Sequence, residues 1–409
     1  MTGGHITVPE HALPAAISHE PTRRWLTTAG VPGSHELMCF PRLADGAVVT
    51  VARLVEEDDD PADLDPYIAR LVAVGQVLSD EYALDDLVLD GATGRVFTLR
   101  MSAARFAEVT PLAPSLEALV GILSAVDELT SRQGRFADLA ERTGAGAVEE
   151  ATARLLTVVT DQDWGDDGWG TAGAPAEWEH AVPPFWHIAA LFRPMPLIAG
   201  PGRGLRLDLP KELLEEEFGP GSTVRLAAED LPAALRHAPT RRFLTEVGLP
   251  KQGGMFLLEE PDTLLDTLTV DRERSRNDPR LQHLYDGTER LPADSDHLLV
   301  LGGLTHDLDV VLDGRTGEVH YMEYDADTVI PVNADISTLA FTIWMHSREE
   351  ELEEAHDLTG KFGDFYHQLA ATMVSVLASV DPVACVPPAH PDDYRYWPEV
   401  FHDEAGGVL

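Results

Sequence analysis

The chain has seventy carboxylates, sixteen histidines and two cysteines in 409 residues, so any chemistry has to be sought among acids and imidazoles. Three places bring suitable types together. His306 stands beside Asp307, with Asp309 two residues on, and such a trio can activate water for hydrolysis if the imidazole acts as base. Asp161, Asp163, Asp166 and Asp167 lie among Trp164 and Trp169 and offer the oxygen ligands that calcium takes. The glycine and closing glutamate of a calcium loop are out of register, so a solvated acidic loop is the better reading. The third place is a pair of acidic runs. Glu56, Glu57, Asp58, Asp59 and Asp60 form one, and Glu349, Glu350, Glu351, Glu353 and Glu354 the other. Either run can present a phosphate-like array to a basic partner, although runs of this kind usually serve as solvated surface. The second reads as the exposed face of a helix near Leu352.

Other chemistries lack their residues. There is no HExxH zinc helix and no GxSxG nucleophile elbow. Cys39 and Cys385 read as buried thiols, and two cysteines are too few for a cysteine zinc site. No catalytic residue, cofactor or metal is expected, and a hydrolase centred on His306, Asp307 and Asp309 is the minor reading.

The elements that position these residues come in two copies. Leu13 to Pro32 reads LPAAISHEPTRRWLTTAGVP and Leu231 to Pro250 reads LPAALRHAPTRRFLTEVGLP, identical at 13 of 20 positions without a gap, at an offset of 231 − 13 = 218. Leu89-Asp90-Gly91-Ala92-Thr93-Gly94 returns as Leu312-Asp313-Gly314-Arg315-Thr316-Gly317. Leu116, Leu119 and Leu123 return as Ile336, Leu339 and Ile343. The run from Val148 to Val159 has its counterpart from Leu369 to Val380. The aromatic-proline cluster at Pro183-Pro184-Phe185-Trp186 resembles Tyr396-Trp397-Pro398 in kind. A module used twice follows, with domains at 1–193 and 205–409. The linker falls at 194–204, where prolines and glycines resist regular structure.

Within each copy the 20-residue stretch reads as a short helix. Pro21 and Pro239 suit the first turn, Gly30 and Gly248 the left-handed cap, and Pro32 and Pro250 stop the chain. Arg23-Arg24 and Arg241-Arg242 fall in the first turn, where the helix dipole disfavours them. A salt bridge or another structural partner is the expected reason, with an anion site the lesser alternative. Asp-Gly-x-Thr-Gly between β-like runs is a hairpin turn; without a Lys-Ser/Thr pair it is no phosphate loop. Ser115 and Asp335 are candidate N-caps of the helices that follow. Helix, hairpins, then two helices make an α+β pattern.

His237, Pro239, Thr240, Arg242, Phe243, Leu244, Gly248, Leu249 and Pro250, followed by Gly302, Leu312, Asp313, Thr316, Gly317 and Val319, resemble the SUKH superfamily of immunity proteins, and its fourth family most. The second half carries the resemblance over about 205 to 405. The first is a weaker copy in which Val74-Gly75 stands in for Leu301-Gly302. The resemblance implies an α+β fold of two tandem SUKH-like domains, each with a mixed or antiparallel sheet flanked by helices. It also implies a non-enzymatic, cytoplasmic protein that binds and neutralises a cognate toxin, often a nuclease or deaminase.

The charge agrees with that expectation. Seventy acids against thirty bases give a formal net charge of −40, and both halves share it. Such a field repels nucleic acid and anionic membrane and favours a basic protein partner; an acidic composition selected only for solubility is the alternative. The N-terminal MTGGHITVPE lacks the basic and apolar regions of a signal peptide. The contact residues expected first are Glu56, Glu57, Asp58, Asp59, Asp60, Glu349, Glu350 and Glu353. A regulatory or scaffold adaptor on the same fold is the rival function.

Overall fold

A computed structural model describes residues 4–55, 60–79, 82–164, 182–261, 263–279, 290–305, 308–323, 326–359, 365–386 and 395–403. The chain falls into two compact units. The first is Met1–Arg142 with Glu149–Pro194 and His367–Thr372; the second is Thr143–Val148 with Met195–Tyr366 and Met373–Leu409.

In the first unit β1 (His5–Ile6) pairs with β2 (Val31–Pro32) around the short helix α1 (Glu20–Thr28). There follow β3 (Met38–Cys39), α2 (Pro41–Ala44), β4 (Val49–Thr50), α3 (Val51–Val55) and α4 (Pro66–Arg70). The sheet is completed by β5 (Val72–Ser79), β6 (Tyr82–Leu89), β7 (Val96–Arg100) and β8 (Glu108–Ala113). Its order is β3-β5-β6-β7-β8 with β4 also on β5, and every pairing is antiparallel. Val72, Ala73 and Val74 are all buried, as are Leu87, Val88 and Leu89. These continuous apolar runs mark strands covered on both faces. One face packs on Val51 and Val55 of α3 and Tyr67 and Ile68 of α4. Beyond β8 come α5 (Leu116–Ser131), α6 (Ala145–Thr160) and α7 (Pro184–Phe192). Trp186 of α7 is fully buried and donates its indole N–H to the Leu112 carbonyl of β8 at 2.7 Å.

The second unit repeats the plan. A small pair, β9 (Gly200–Pro201) with β10 (Leu207–Asp208), is followed by α8 (Leu213–Phe218). Then β11 (Thr223–Val224) pairs with β12 (Leu249–Pro250) around α9 (Ala238–Glu246). The main sheet runs β13 (Gln252–Gly253), β14 (Phe256–Leu258), β15 (Leu298–Leu304), β16 (Leu308–Asp313), β17 (Val319–Glu323) and β18 (Ile330–Asn333), antiparallel throughout. Helix α10 (Leu268–Asn277) lies between β14 and β15 in sequence; α11 (Ile336–His356), α12 (Tyr366–Val380) and α13 (Tyr396–Asp403) follow the sheet. Trp397 of α13 donates to Asn333 of β18 at 3.0 Å, the counterpart of the Trp186 bond.

The α+β expectation holds, with differences of detail. Of the mixed or antiparallel sheets expected, every described pairing is antiparallel. Among the described residues three helices, not two, follow each, because the aromatic-proline clusters are helices that start at or hold a proline in their first turn. The proline-rich stretch at 194–204 contains a 3-10 turn, Met195–Ile198, whose Met195, Leu197 and Ile198 are buried, and the strand β9.

Candidate functional site

In each copy the repeated helix and the repeated turn lock together. The N-cap residue His19 places Nδ1 2.9 Å from Thr22 Oγ1, and His237 places Nδ1 2.8 Å from Thr240 Oγ1. The Asp-Gly-x-Thr-Gly turn sits directly against this pair. Asp90 Oδ1 accepts the Ala92 and Thr93 amides, and Asp313 Oδ1 those of Arg315 and Thr316. The turn's first glycine offers its carbonyl to the chain entering the helix: Gly91 O accepts from Ser18 N and His19 N, and Gly314 O from Arg236 N and His237 N. The first arginine of each pair is structural. Arg23 donates to Ile17 O at 2.8 Å and bridges to Glu10 at 2.5 Å, and Arg241 donates to Leu235 O at 2.9 Å. Arg24 and Arg242 are exposed, and Arg242 donates to Arg203 O. No chemistry is assembled here.

The trio proposed for hydrolysis is only partly visible. His306 and Asp307 lie outside the described residues. Asp309 is on β16, and its Oδ2 accepts from Arg272 of α10, whose side chain is 5% exposed and also pairs with Asp271 at 3.1 Å. Leu268 and Arg272 are one turn apart on α10; Leu268 packs on Leu298, Val300, Val311 and Met322 while Arg272 reaches the carboxylate. Burial pushes the Asp309 carboxyl up, against the pull of Arg272. The same position in the first sheet holds Asp86 (309 − 223 = 86). It too is pushed up by burial, with Arg42 and Gln76 opposing. A carboxylate clamped by a buried guanidinium anchors α10 to β16.

The acidic runs separate. Glu56, Glu57, Asp58 and Asp59 lie outside the described residues, and Asp60 caps a 3-10 turn by accepting the Ala62 amide at 2.9 Å. The run on α11 is not one exposed face. Glu349 is buried, and Glu353 accepts from the amide and hydroxyl of Thr359, closing the helix end. Glu350, Glu351 and Glu354 are exposed. Beside them runs α8, whose Glu215, Glu216 and Glu217 the sequence reading passed over. Arg348 joins the helices, pairing with Glu351 and lying 3.8 Å from Glu217. Burial pushes the Glu217 carboxyl up, and Arg348 opposes it. The sequence signal was present: three glutamates in Leu213-Leu214-Glu215-Glu216-Glu217-Phe218 follow two leucines, the pattern of a half-buried turn of helix. Among the described residues the first unit has no such face, since α5 ends after 16 residues where α11 runs for 21.

Among the described residues no group of three or more His, Cys, Asp or Glu side chains is placed to hold a metal ion, and no helix is long and apolar enough to cross a membrane. The family model described as SUKH-4 immunity protein matches the chain twice, over residues 2–163 and 209–403. The chain belongs to the SUKH-4 family. The two matches begin ahead of α1 and ahead of α9, so each SUKH-4 segment contains one helix-and-turn lock and one main sheet, in keeping with two tandem domains. An immunity function is supported at that level, and a family of immunity proteins suggests a non-enzymatic role. No curated protein and no solved structure matches the chain.

Proposed function

We propose that this SUKH-4 protein binds and neutralises a cognate bacterial toxin in the cytoplasm, and that the toxin is a basic nuclease or deaminase. The observation that carries the reading is the double match to an immunity family on a chain of net charge −40. Enzymes that act on nucleic acid need a basic surface to hold phosphates, and an acidic inhibitor competes for that surface by charge complementarity. Blocking substrate needs no catalytic group in the inhibitor. The contact surface we assign first is the exposed acid of α8 and α11, Glu216, Glu350, Glu351 and Glu354, because among the described residues it is present in one copy only and most of it is not consumed by internal pairing. Glu349 and Glu353 are withdrawn from it by burial and by the bond to Thr359. Glu56 to Asp60 stay as a second contact segment in the proposal.

The test is co-expression with the product of a neighbouring toxin-like gene. The toxin should co-purify and its toxicity should be suppressed. Glu350→Lys with Glu351→Lys and Glu354→Lys should weaken binding at least about tenfold, since each rim charge chiefly alters association, while leaving the unfolding midpoint within about 0.5 kcal/mol. Failure of any neighbouring product to bind sinks the reading; unchanged binding by the triple variant moves the contact elsewhere.

A further inference from the structure

The turn ahead of β3 and the turn between β13 and β14 each lie against the long helix of their unit at an imidazole, but the two copies supply it from opposite sides. In the first unit His35 belongs to the loop. Its backbone exchanges hydrogen bonds with Met38 at 3.2 and 3.3 Å, making a tight turn, and Leu37 O accepts the Leu78 amide of β5. The His35 ring is 2% exposed. Nδ1 accepts the Leu37 amide at 3.1 Å, and Nε2 faces Asp127 Oδ1 at 3.1 Å and Leu123 O at 3.4 Å, both on α5. In the second unit the turn residue equivalent to His35 is Gly253 (35 + 218), which pairs with Phe256 as His35 does with Met38. There the imidazole is His346 of α11, at the place of Val126 in α5 (126 + 220). A Cβ on Gly254 would stand 3.1 Å from the His346 ring, and one on Gly253 2.7 Å from Ile343. Loop glycines therefore accompany a helix histidine, and a loop histidine accompanies the small and aliphatic helix residues Ala125 and Val126.

We propose that His35 is an acid-opened latch: as the neutral Nε2–H tautomer it fastens the 35–38 turn to α5, and taking up a proton releases that turn. The mechanism is one of hydrogen-bond sign. Neutral His35 accepts a backbone N–H at Nδ1 and donates at Nε2. Protonation places a second N–H on Nδ1, pointing at the Leu37 N–H, so that bond is replaced by a donor against a donor. The charged groups facing the ring are Asp127 on α5, Glu36 in the turn and Arg193 on α7; Arg193 itself pairs with Glu36. Asp127 and Glu36 favour the proton, yet burial outweighs them and holds the ring below its ordinary value. A histidine whose folded value is depressed contributes stability that is present above the unfolded value and is lost as pH falls toward the folded one.

The experiment is hydrogen exchange of the full chain from about pH 7.5 to about pH 5, corrected for intrinsic rates, read in the peptide spanning 33–40. As pH falls from the imidazole's ordinary value toward the depressed folded one, protection there should fall by up to about tenfold per pH unit, the dependence of a single proton, and level off below it. His35→Gln, which keeps a donor and an acceptor but does not titrate, should flatten that dependence, and His320→Gln, removing another buried imidazole, should leave it intact. Equal slopes in wild type and His35→Gln overturn the latch, as does a flat wild-type profile. Should His35→Gln fail to fold, ring nitrogen shifts of the wild-type protein decide. The expected result is a proton on Nε2 at neutral pH and titration below 6.5 together with the Leu37 amide; a proton on Nδ1 overturns the proposal.

Discussion

Gly94 and Gly317 show how tightly the two repeated motifs constrain each other. Both have φ of +82°, and a Cβ at Gly317 would stand 2.1 Å from His237 Nδ1 and 2.9 Å from Thr240 Oγ1. Gly317→Ala therefore meets a backbone penalty and a clash in the buried lock. A cost of about 1–3 kcal/mol from the backbone alone, raised by the clash, should appear as a lower denaturant midpoint; a change under about 0.5 kcal/mol would contradict the lock. The Arg272–Asp309 pair makes a second residue-level prediction. Arg272→Met leaves the half-buried Asp309 without its main partner and should cost about 1–3 kcal/mol. Because burial raises the Asp309 carboxyl, the native state holds its proton more tightly than the unfolded chain does. That contribution is full below the ordinary carboxylate range and is lost as pH rises through the folded value. The cost of Asp309→Asn should accordingly shrink between about pH 4 and pH 7, measured by urea unfolding at each pH; a cost that grows over that range would refute the assignment. The Arg272–Asp309 pair was not legible in the sequence. Arg272 and Asp309 are 37 residues apart, and only strand register with helix phase brings them together. The lock was half legible: both motifs were visible as repeats, but their contact was not.

At the scale of elements, local signals carried the first helix, the hairpin turn and the caps. Ser115 and Asp335 do cap α5 and α11 through their side chains. They are unequal caps. Ser115 Oγ accepts the Ala118 amide alone, whereas buried Asp335 accepts from Ser337 N, Ser337 Oγ, Thr338 N and, at 2.7 Å, Arg206 N. Ser115→Ala should cost about 0.5–2 kcal/mol, and Asp335→Ala distinctly more, because it strands several buried donors; equal costs in thermal unfolding would contradict the difference. The bulged strands explain why the first copy looked weaker. Val72 pairs with Leu89 and Leu299 with Leu312, so Val74-Gly75 and Leu301-Gly302 occupy one bulge. A Cβ on Gly75 would meet Cys39 O at 2.4 Å, and one on Gly302 would meet Leu257 O at 2.1 Å. The neighbouring strand demands the glycine, while the next position, Gly303 in β15, is Gln76 in β5 and has no such demand. What stayed hidden were α8, whose six residues are too few for a periodic signal, and α7 and α13, whose aromatic-proline clusters were matched to each other in kind without being assigned as helices.

For the molecule as a whole, shape and charge make opposite demands. Each domain must gather its share of seventy acids around a compact core, and self-repulsion then works against folding. The same field would speed encounter with the basic toxin proposed above. Salt separates the two effects. Raising ionic strength from about 0.01 M to about 0.15 M shortens the screening length from about 30 Å to about 8 Å, which relieves repulsion across a domain without reaching buried pairs such as Arg272–Asp309. The unfolding temperature should therefore rise with salt over that range. The association rate with a basic toxin should fall over the same range, by about tenfold or more if steering dominates encounter. The two readouts are independent: calorimetry measures one and stopped-flow mixing the other. A midpoint that rises while association stays constant would assign the charge of −40 to solubility, and the partner would then have to be recognised by shape and apolar contact. A fall in both would mean that surface ion pairs such as Arg154 with Asp138 and Glu150 outweigh the net repulsion, so that the acids are held in local networks and not in one long-range field.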